Sequence, residues 1–262
     1  MTPSSTPANP GAPPLLVVAH GSRDPRAAAA VEALVGEVRR RRRAPRVVTA
    51  YLDHAPPTAG QALDALAGRA RGGNGEVIVL PLLLTAAYHS KTDLPGALRE
   101  ARRRHPLLRL YYGETLGPHE GLIAALERRL AEVGVTPGDP ETAVVLAAAG
   151  SSDPSAGAVV AGMAREWARR GWWAVTPAYA SAVRPRPEEA VTRLLAAGAP
   201  RVAVATYILA PGYFADKVRR DTLAAGAVAV SPVLGPAPEV ADIVAERYVQ
   251  AMQPPQEVAA AG

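Results

Sequence analysis

The feature that most restricts this chain is an internal repeat. Ala19-His20-Gly21-Ser22-Arg23-Asp24-Pro25 recurs as Ala148-Ala149-Gly150-Ser151-Ser152-Asp153-Pro154, and Ala50-Tyr51-Leu52-Asp53 recurs as Ala178-Tyr179-Ala180-Ser181. Leu84-Thr85-Ala86-Ala87-Tyr88-His89-Ser90-Lys91 recurs as Leu209-Ala210-Pro211-Gly212-Tyr213-Phe214-Ala215-Asp216. The offset is 129 residues from His20 to Ala149, 128 from Tyr51 to Tyr179 and 125 from His89 to Phe214. A period this long is a duplicated domain and not a solenoid.

Within each copy, apolar runs alternate with amphipathic segments. In the first copy strands are expected near 15–19, 46–51, 76–83 and 108–112, with helices near 25–41, 58–70, 92–104 and 119–133. In the second, strands are expected near 143–149, 173–179, 201–209 and 228–230, with helices near 155–170, 187–197, 215–225 and 237–252. Such alternation builds βαβ units and a mostly parallel sheet covered on both faces. The fold class is therefore α/β, as two tandem domains, each a mostly parallel sheet flanked by helices. Asp24-Pro25 supplies a helix N-cap followed by proline in the first turn. Residues 1–13 read as a disordered lead, 14–134 as the first domain, 135–142 as a linker of turn formers, 143–252 as the second domain and 253–262 as a tail. Gly72, Gly73 and Gly75 precede a strand and read as a plain turn.

Composition excludes several chemistries. There is no cysteine, so disulfides, thiolate metal sites and cysteine nucleophiles are out. A metal would need imidazole, carboxylate or carbonyl ligands, which suits a divalent first-row ion. No apolar run reaches the roughly 20 residues of a membrane span, and the N-terminus lacks signal-peptide character; the expectation is a cytoplasmic protein without a membrane partner. The net charge of +5 includes arginine runs at 39–43 and 102–104, each at the end of an expected helix, where cations complement the helix dipole. Without interleaved aromatic residues these runs do not make a nucleic-acid site. No P-loop, dinucleotide fingerprint or nucleophile elbow is present, so no nucleotide cofactor is expected.

The copies differ where they carry titratable groups. His20, Asp53 and His89 of the first become Ala149, Ser181 and Phe214 in the second. A histidine needed for folding would have equal reason to persist in both copies, so the joint loss points to chemistry held by the first half. Strand ends of a parallel sheet are where ligands bind, and two imidazoles with a carboxylate there can hold a divalent ion. His54, beside Pro56-Pro57, reads as a ligand or as an ordinary loop residue; His105 and His119 read as structural or solvent-exposed.

Ala19-His20-Gly21-Ser22-Arg23-Asp24-Pro25, Tyr51-Leu52-Asp53 and the stretch from Pro81 through Tyr88-His89-Ser90-Lys91 to Pro95 resemble the sirohydrochlorin chelatases of the CbiX/SirB type, in their long, duplicated form. The resemblance runs from about residue 14 to 252. It implies two α/β domains facing across a cleft, and ATP-independent insertion of Fe²⁺, for siroheme, or Co²⁺, for cobalamin, into a tetrapyrrole. It implies catalytic and metal-binding roles for His20 and His89. Asp53 stands as a further metal ligand where the family commonly has a glutamate. Ser22, Arg23, Tyr88, Ser90, Lys91, Tyr213 and Phe214 are the expected substrate contacts, with Arg23 and Lys91 also readable as plain surface charge. The divalent metal enters as co-substrate, and a monomer with pseudo-twofold symmetry is expected. A metal or tetrapyrrole carrier using the same histidines is the alternative outside enzymes.

Overall fold

The structure, a computed structural model, describes residues 12–41, 45–69, 75–86 and 92–253. Among the described residues sixteen elements alternate: β1 Leu15–Ala19, α1 Pro25–Arg39, β2 Val47–Tyr51, α2 Ala59–Ala67, β3 Glu76–Pro81, α3 Leu94–Arg104, β4 Arg109–Tyr112 and α4 Glu120–Ala131 form the first set. The second set is β5 Thr142–Ala148, α5 Pro154–Ala168, β6 Ala174–Tyr179, α6 Pro187–Ala196, β7 Arg201–Tyr207, α7 Tyr213–Ala224, β8 Ala229–Val230 and α8 Pro238–Met252. Each set makes a four-stranded parallel sheet, in the order β2-β1-β3-β4 and β6-β5-β7-β8. The expected fold class is observed. All but two residues of the expected N-terminal lead, the turn at Gly72-Gly73 and nearly all of the tail lie outside the described residues, as do Arg42 and Arg43.

Alternation along the central strands sorts the core into three layers. Leu15, Val17 and Ala19 of β1 and Val144, Leu146 and Ala148 of β5 face one shared apolar cluster. Leu16 and Val18 face a separate cluster with α2 and α3, and Ala143, Val145 and Ala147 one with α6 and α7. The shared layer holds α1, α4, α5 and α8, and the fourth helices are exchanged. The helix α4 packs on β7, whereas α8 packs on α1, β3 and β4. Trp167, fully buried on α5, donates to Glu127 of α4 at 2.9 Å, and Tyr248 of α8 donates to Pro13 O at 2.7 Å.

Two apolar runs outlast their strands. The expected strands at 76–83 and 201–209 end at Pro81 and Tyr207. Leu83, Leu84, Ile208 and Leu209 instead leave the sheets and line a cleft. The expected start of α7 at 215 moves forward to Tyr213, which puts Tyr213 and Phe214 in its first turn.

The repeat holds bond by bond at the strand ends. Asp53 N donates to His20 O at 3.0 Å and Ser181 N to Ala149 O at 2.9 Å. Gly21 and Gly150 both have positive φ, +90° and +94°, and a Cβ there would sit 1.8 Å from Asp53 O or 2.2 Å from Ser181 O. Only glycine fits both the dihedral and the space.

The arginine runs behave as helix ends. Arg39 donates to Val47 O, Arg102 to Leu110 O, and Arg41 to Pro238 O and Asp242 across the two halves.

Two outcomes are expected. Gly150→Ala costs more than about 1 kcal/mol, and more than Gly134→Ala, where φ is similar but the space is open; thermal melts of the two variants compare them. Leu126→Ala, a fully buried site on α4, costs about 2–5 kcal/mol. Because its layer is shared, both halves should unfold in one urea transition rather than two.

Candidate active-site cleft

The carboxyl ends of β1, β2 and β3 face those of β5, β6 and β7 across a cleft of about 910 Å³. That volume lies near the upper end of small-molecule sites, about 300–1,000 Å³. The floor comes from the first turns of α1 and α5. Ala27, Ala28 and Val31 stand opposite Ala156, Gly157 and Val160. Small side chains at these paired positions leave a broad apolar base suited to a flat ligand.

Three tyrosines complete the base. Tyr51 and Tyr179 end β2 and β6, and Tyr207 ends β7. Tyr179 donates to Gly157 O at 3.1 Å, and Tyr207 donates across the halves to Leu84 O at 3.0 Å. Burial raises all three phenols above their ordinary range, with Glu32 adding to the effect at Tyr51. They therefore remain neutral donors near pH 7.

The first-half wall carries His20, Ser22, Arg23 and His54. His20 follows β1 directly and is exposed to the cleft. The Ser22 hydroxyl oxygen accepts from Asp24 N at 3.1 Å, and Ser151 repeats this with Asp153 N. That bond shapes the turn in both halves. Arg23 is exposed at the wall. Asp53 is placed differently from its neighbour: among the described residues it does not line the cleft, whereas His54 does. Its Oδ1 accepts from His54 N at 2.7 Å, and Oδ2 lies 3.4 Å from His54 Nε2.

The opposite wall carries no histidine or arginine among the described residues; it combines alanines, Ser151, Ser152 and Ser181 with an aromatic pair. Ala149 and Ala182 stand where His20 and His54 stand, and Tyr213 and Phe214 line the cleft as an edge-to-face pair with centroids 5.5 Å apart. Tyr88, His89, Ser90 and Lys91 lie outside the described residues, between the cleft-lining Thr85 and α3. Among the described residues no three His, Asp or Glu side chains converge as a metal-binding set.

The two remaining histidines have structural partners. His119 caps α4, its Nδ1 accepting from Gly121 N at 3.0 Å, with Nε2 3.1 Å from Glu246; His105 Nε2 lies 2.8 Å from Asp64. Sequence reasoning missed the three basal tyrosines, whose apolar flanks read as plain strand. It also missed that His54 and Ala182 are a second histidine–alanine pair beside His20 and Ala149, although the turn register contains that signal.

At the rim, Arg26 on α1 reaches Asp216 on α7 at 2.6 Å as well as its own neighbour Asp24 at 2.6 Å. Hydrogen bonds from Arg26 hold the Asp24 carboxyl below the usual range.

Comparison with known proteins agrees with this architecture. The CbiX family model matches the chain twice, over residues 14–133 and 143–251. A sirohydrochlorin cobaltochelatase of Priestia megaterium is 31% identical over 203 residues, covering 76% of this chain and 64% of that protein, so the chain spans just under two thirds of its length. A sirohydrochlorin ferrochelatase of the same organism is 26% identical over 208 residues, covering 79% and 77% of the two chains. The solved structure of SirB from Bacillus subtilis with Fe³⁺ shares the fold, with a TM-score of 0.79 at 24% identity over 91% of this chain and 94% of that one. Matched once by each half, with both sheets and the cleft between them in one polypeptide, the chain belongs to the CbiX family.

Proposed function

We propose that this chain is a sirohydrochlorin chelatase that inserts a divalent metal into the tetrapyrrole without a nucleotide. Fe²⁺, on the route to siroheme, is the leading metal and Co²⁺, on the route to cobalamin, its alternative. Relatives named for each metal are similar to this chain, and imidazole ligands do not separate the two ions. The observation that carries the reading is the contrast between the walls: imidazoles on one, an aromatic pair and alanines in their place on the other, across a cleft of about 910 Å³.

The chemistry follows from that contrast. Insertion strips water from the ion and releases two pyrrole N–H protons as the metal takes their place. His20 and His89 hold the ion and, once it passes to the macrocycle, their freed ring nitrogens accept those protons. Tyr213 and Phe214 seat the face of the macrocycle, on the side away from the ion. The eight carboxylates of the substrate are drawn by the net charge of +5 and met by Arg23 and Lys91, with Ser22, Tyr88 and Ser90 as polar contacts. The unit of function spans two halves, 14–134 and 143–252, in a cytoplasmic monomer. No helix among the described residues is long and apolar enough to cross a membrane.

An anaerobic absorbance time course of sirohydrochlorin with Fe²⁺ or Co²⁺ tests this. Catalytic amounts of the wild type should convert the spectrum rapidly, and His20→Ala and His89→Ala should each slow conversion by at least about 100-fold. Wild-type rates equal to the protein-free background would contradict the proposal. Stoichiometric metal binding without turnover would identify a carrier instead.

A further inference from the structure

We propose that His54 holds the metal in the cleft and that Asp53 serves it as a positioning residue. This rests on the cleft being the place where metal is handled, and goes beyond it by giving the ligand role to His54 and a supporting role to Asp53, the residue that the family resemblance marks as a ligand.

In the first half His54 lines the cleft and Asp53 does not, whereas in the second both Ser181 and Ala182 line it. His54 has φ +63°, in the left-handed region that non-glycine residues seldom occupy. Its counterpart Ala182 has φ +62°, and both residues line the cleft. The turn therefore aims this position at the cleft in both halves, whatever its side chain. One half places an imidazole there and the other a methyl group, in parallel with His20 and Ala149. Asp53, by contrast, is 65% exposed at its side chain and is not among the described residues lining the cleft.

The Asp53 carboxylate is spent on its neighbour. It accepts from His54 N at 2.7 Å and lies 3.4 Å from His54 Nε2, facing one ring nitrogen and leaving Nδ1 for an ion. The turn does not need that carboxylate in order to form. Ser181 occupies the same place, with its hydroxyl donated to Ala149 O at 2.8 Å, and the turn closes alike in both halves: Ala55 N meets Asp53 O at 2.8 Å and Val183 N meets Ser181 O at 2.7 Å. A carboxylate behind an imidazole fixes ring orientation and raises basicity, as in carboxylate–histidine–metal arrangements. The bond from Asp53 N to His20 O at 3.0 Å ties the His20 and His54 loops together, so both imidazoles approach the cleft from one wall.

Titration of the tetrapyrrole-free protein with CoCl₂, followed by calorimetry and by the visible d–d bands, tests this in wild type, His54→Ala, His54→Asn, Asp53→Asn and the double variant His54→Ala/Asp53→Asn. Ala182 shows that alanine is accommodated at this backbone geometry, and asparagine tolerates it well. His54→Ala and His54→Asn should weaken cobalt binding by about tenfold or more and change the bands. Asp53→Asn should cost less, and nothing further in the His54→Ala background. In turnover, KM for the metal should rise in His54→Ala while KM for the tetrapyrrole stays unchanged. Wild-type cobalt binding in His54→Ala, or a full Asp53→Asn loss persisting in the double variant, would overturn the proposal. A wild type that binds cobalt through His54 yet inserts no metal would remove the chelatase reading and leave this one standing.

Discussion

A parallel sheet must be covered on both faces, and the rest of this structure depends on how the chain meets that demand. Each half brings helices enough to cover the outer face of its own sheet, but the inner faces share one layer. The exchange of α4 onto β7 and of α8 onto β3 and β4 joins the halves through a common apolar cluster. The cleft is the consequence. Its walls are the carboxyl ends of two sheets whose separation is set by packed helices, and not by a ligand that must first draw them together. Tyr207, bonded to Leu84 O from the other half, continues that join up to the cleft base. By contrast, the rim pair of Arg26 and Asp216 is about half exposed on both sides, an arrangement that contributes little stability in water.

Duplication gives the two walls one backbone, and substitution gives them separate work. The glycine turns, the left-handed residues after β2 and β6, and the bonds between adjacent strand ends are repeated. What changes is the chemistry mounted on them: His20 against Ala149 and His54 against Ala182. On the proposed function, one wall delivers the ion and takes up protons while the other presses on the face of a flat macrocycle, a division that identical walls could not make.

Much of this was legible in the sequence. All sixteen elements follow from apolar runs of strand length alternating with amphipathic segments, and Asp24 and Asp153 cap their helices beside prolines. The register of the repeat was legible too, because every copy of a turn residue had a partner to align with. Three things were not. A helix's amphipathic pattern says that it covers a sheet but not which one, so the exchange of α4 and α8 could not be read locally. An apolar residue past a strand end looks like more strand, which is why Leu83, Ile208 and Leu209 read as strand although they line the cleft. And a left-handed histidine carries no local mark, since glycine usually fills such positions; Asp53 therefore drew the attention that the turn gives to His54. The stretch holding Tyr88, His89, Ser90 and Lys91 lies outside the described residues.

The proposed function places metal on the first-half wall alone. Crystals of the protein soaked with Co²⁺, with anomalous scattering recorded at the cobalt edge, should show one cobalt in the cleft within ligand distance of His20, and none beside Ala149 or Phe214. Cobalt bound away from that wall, or shared equally between the two halves, would contradict it.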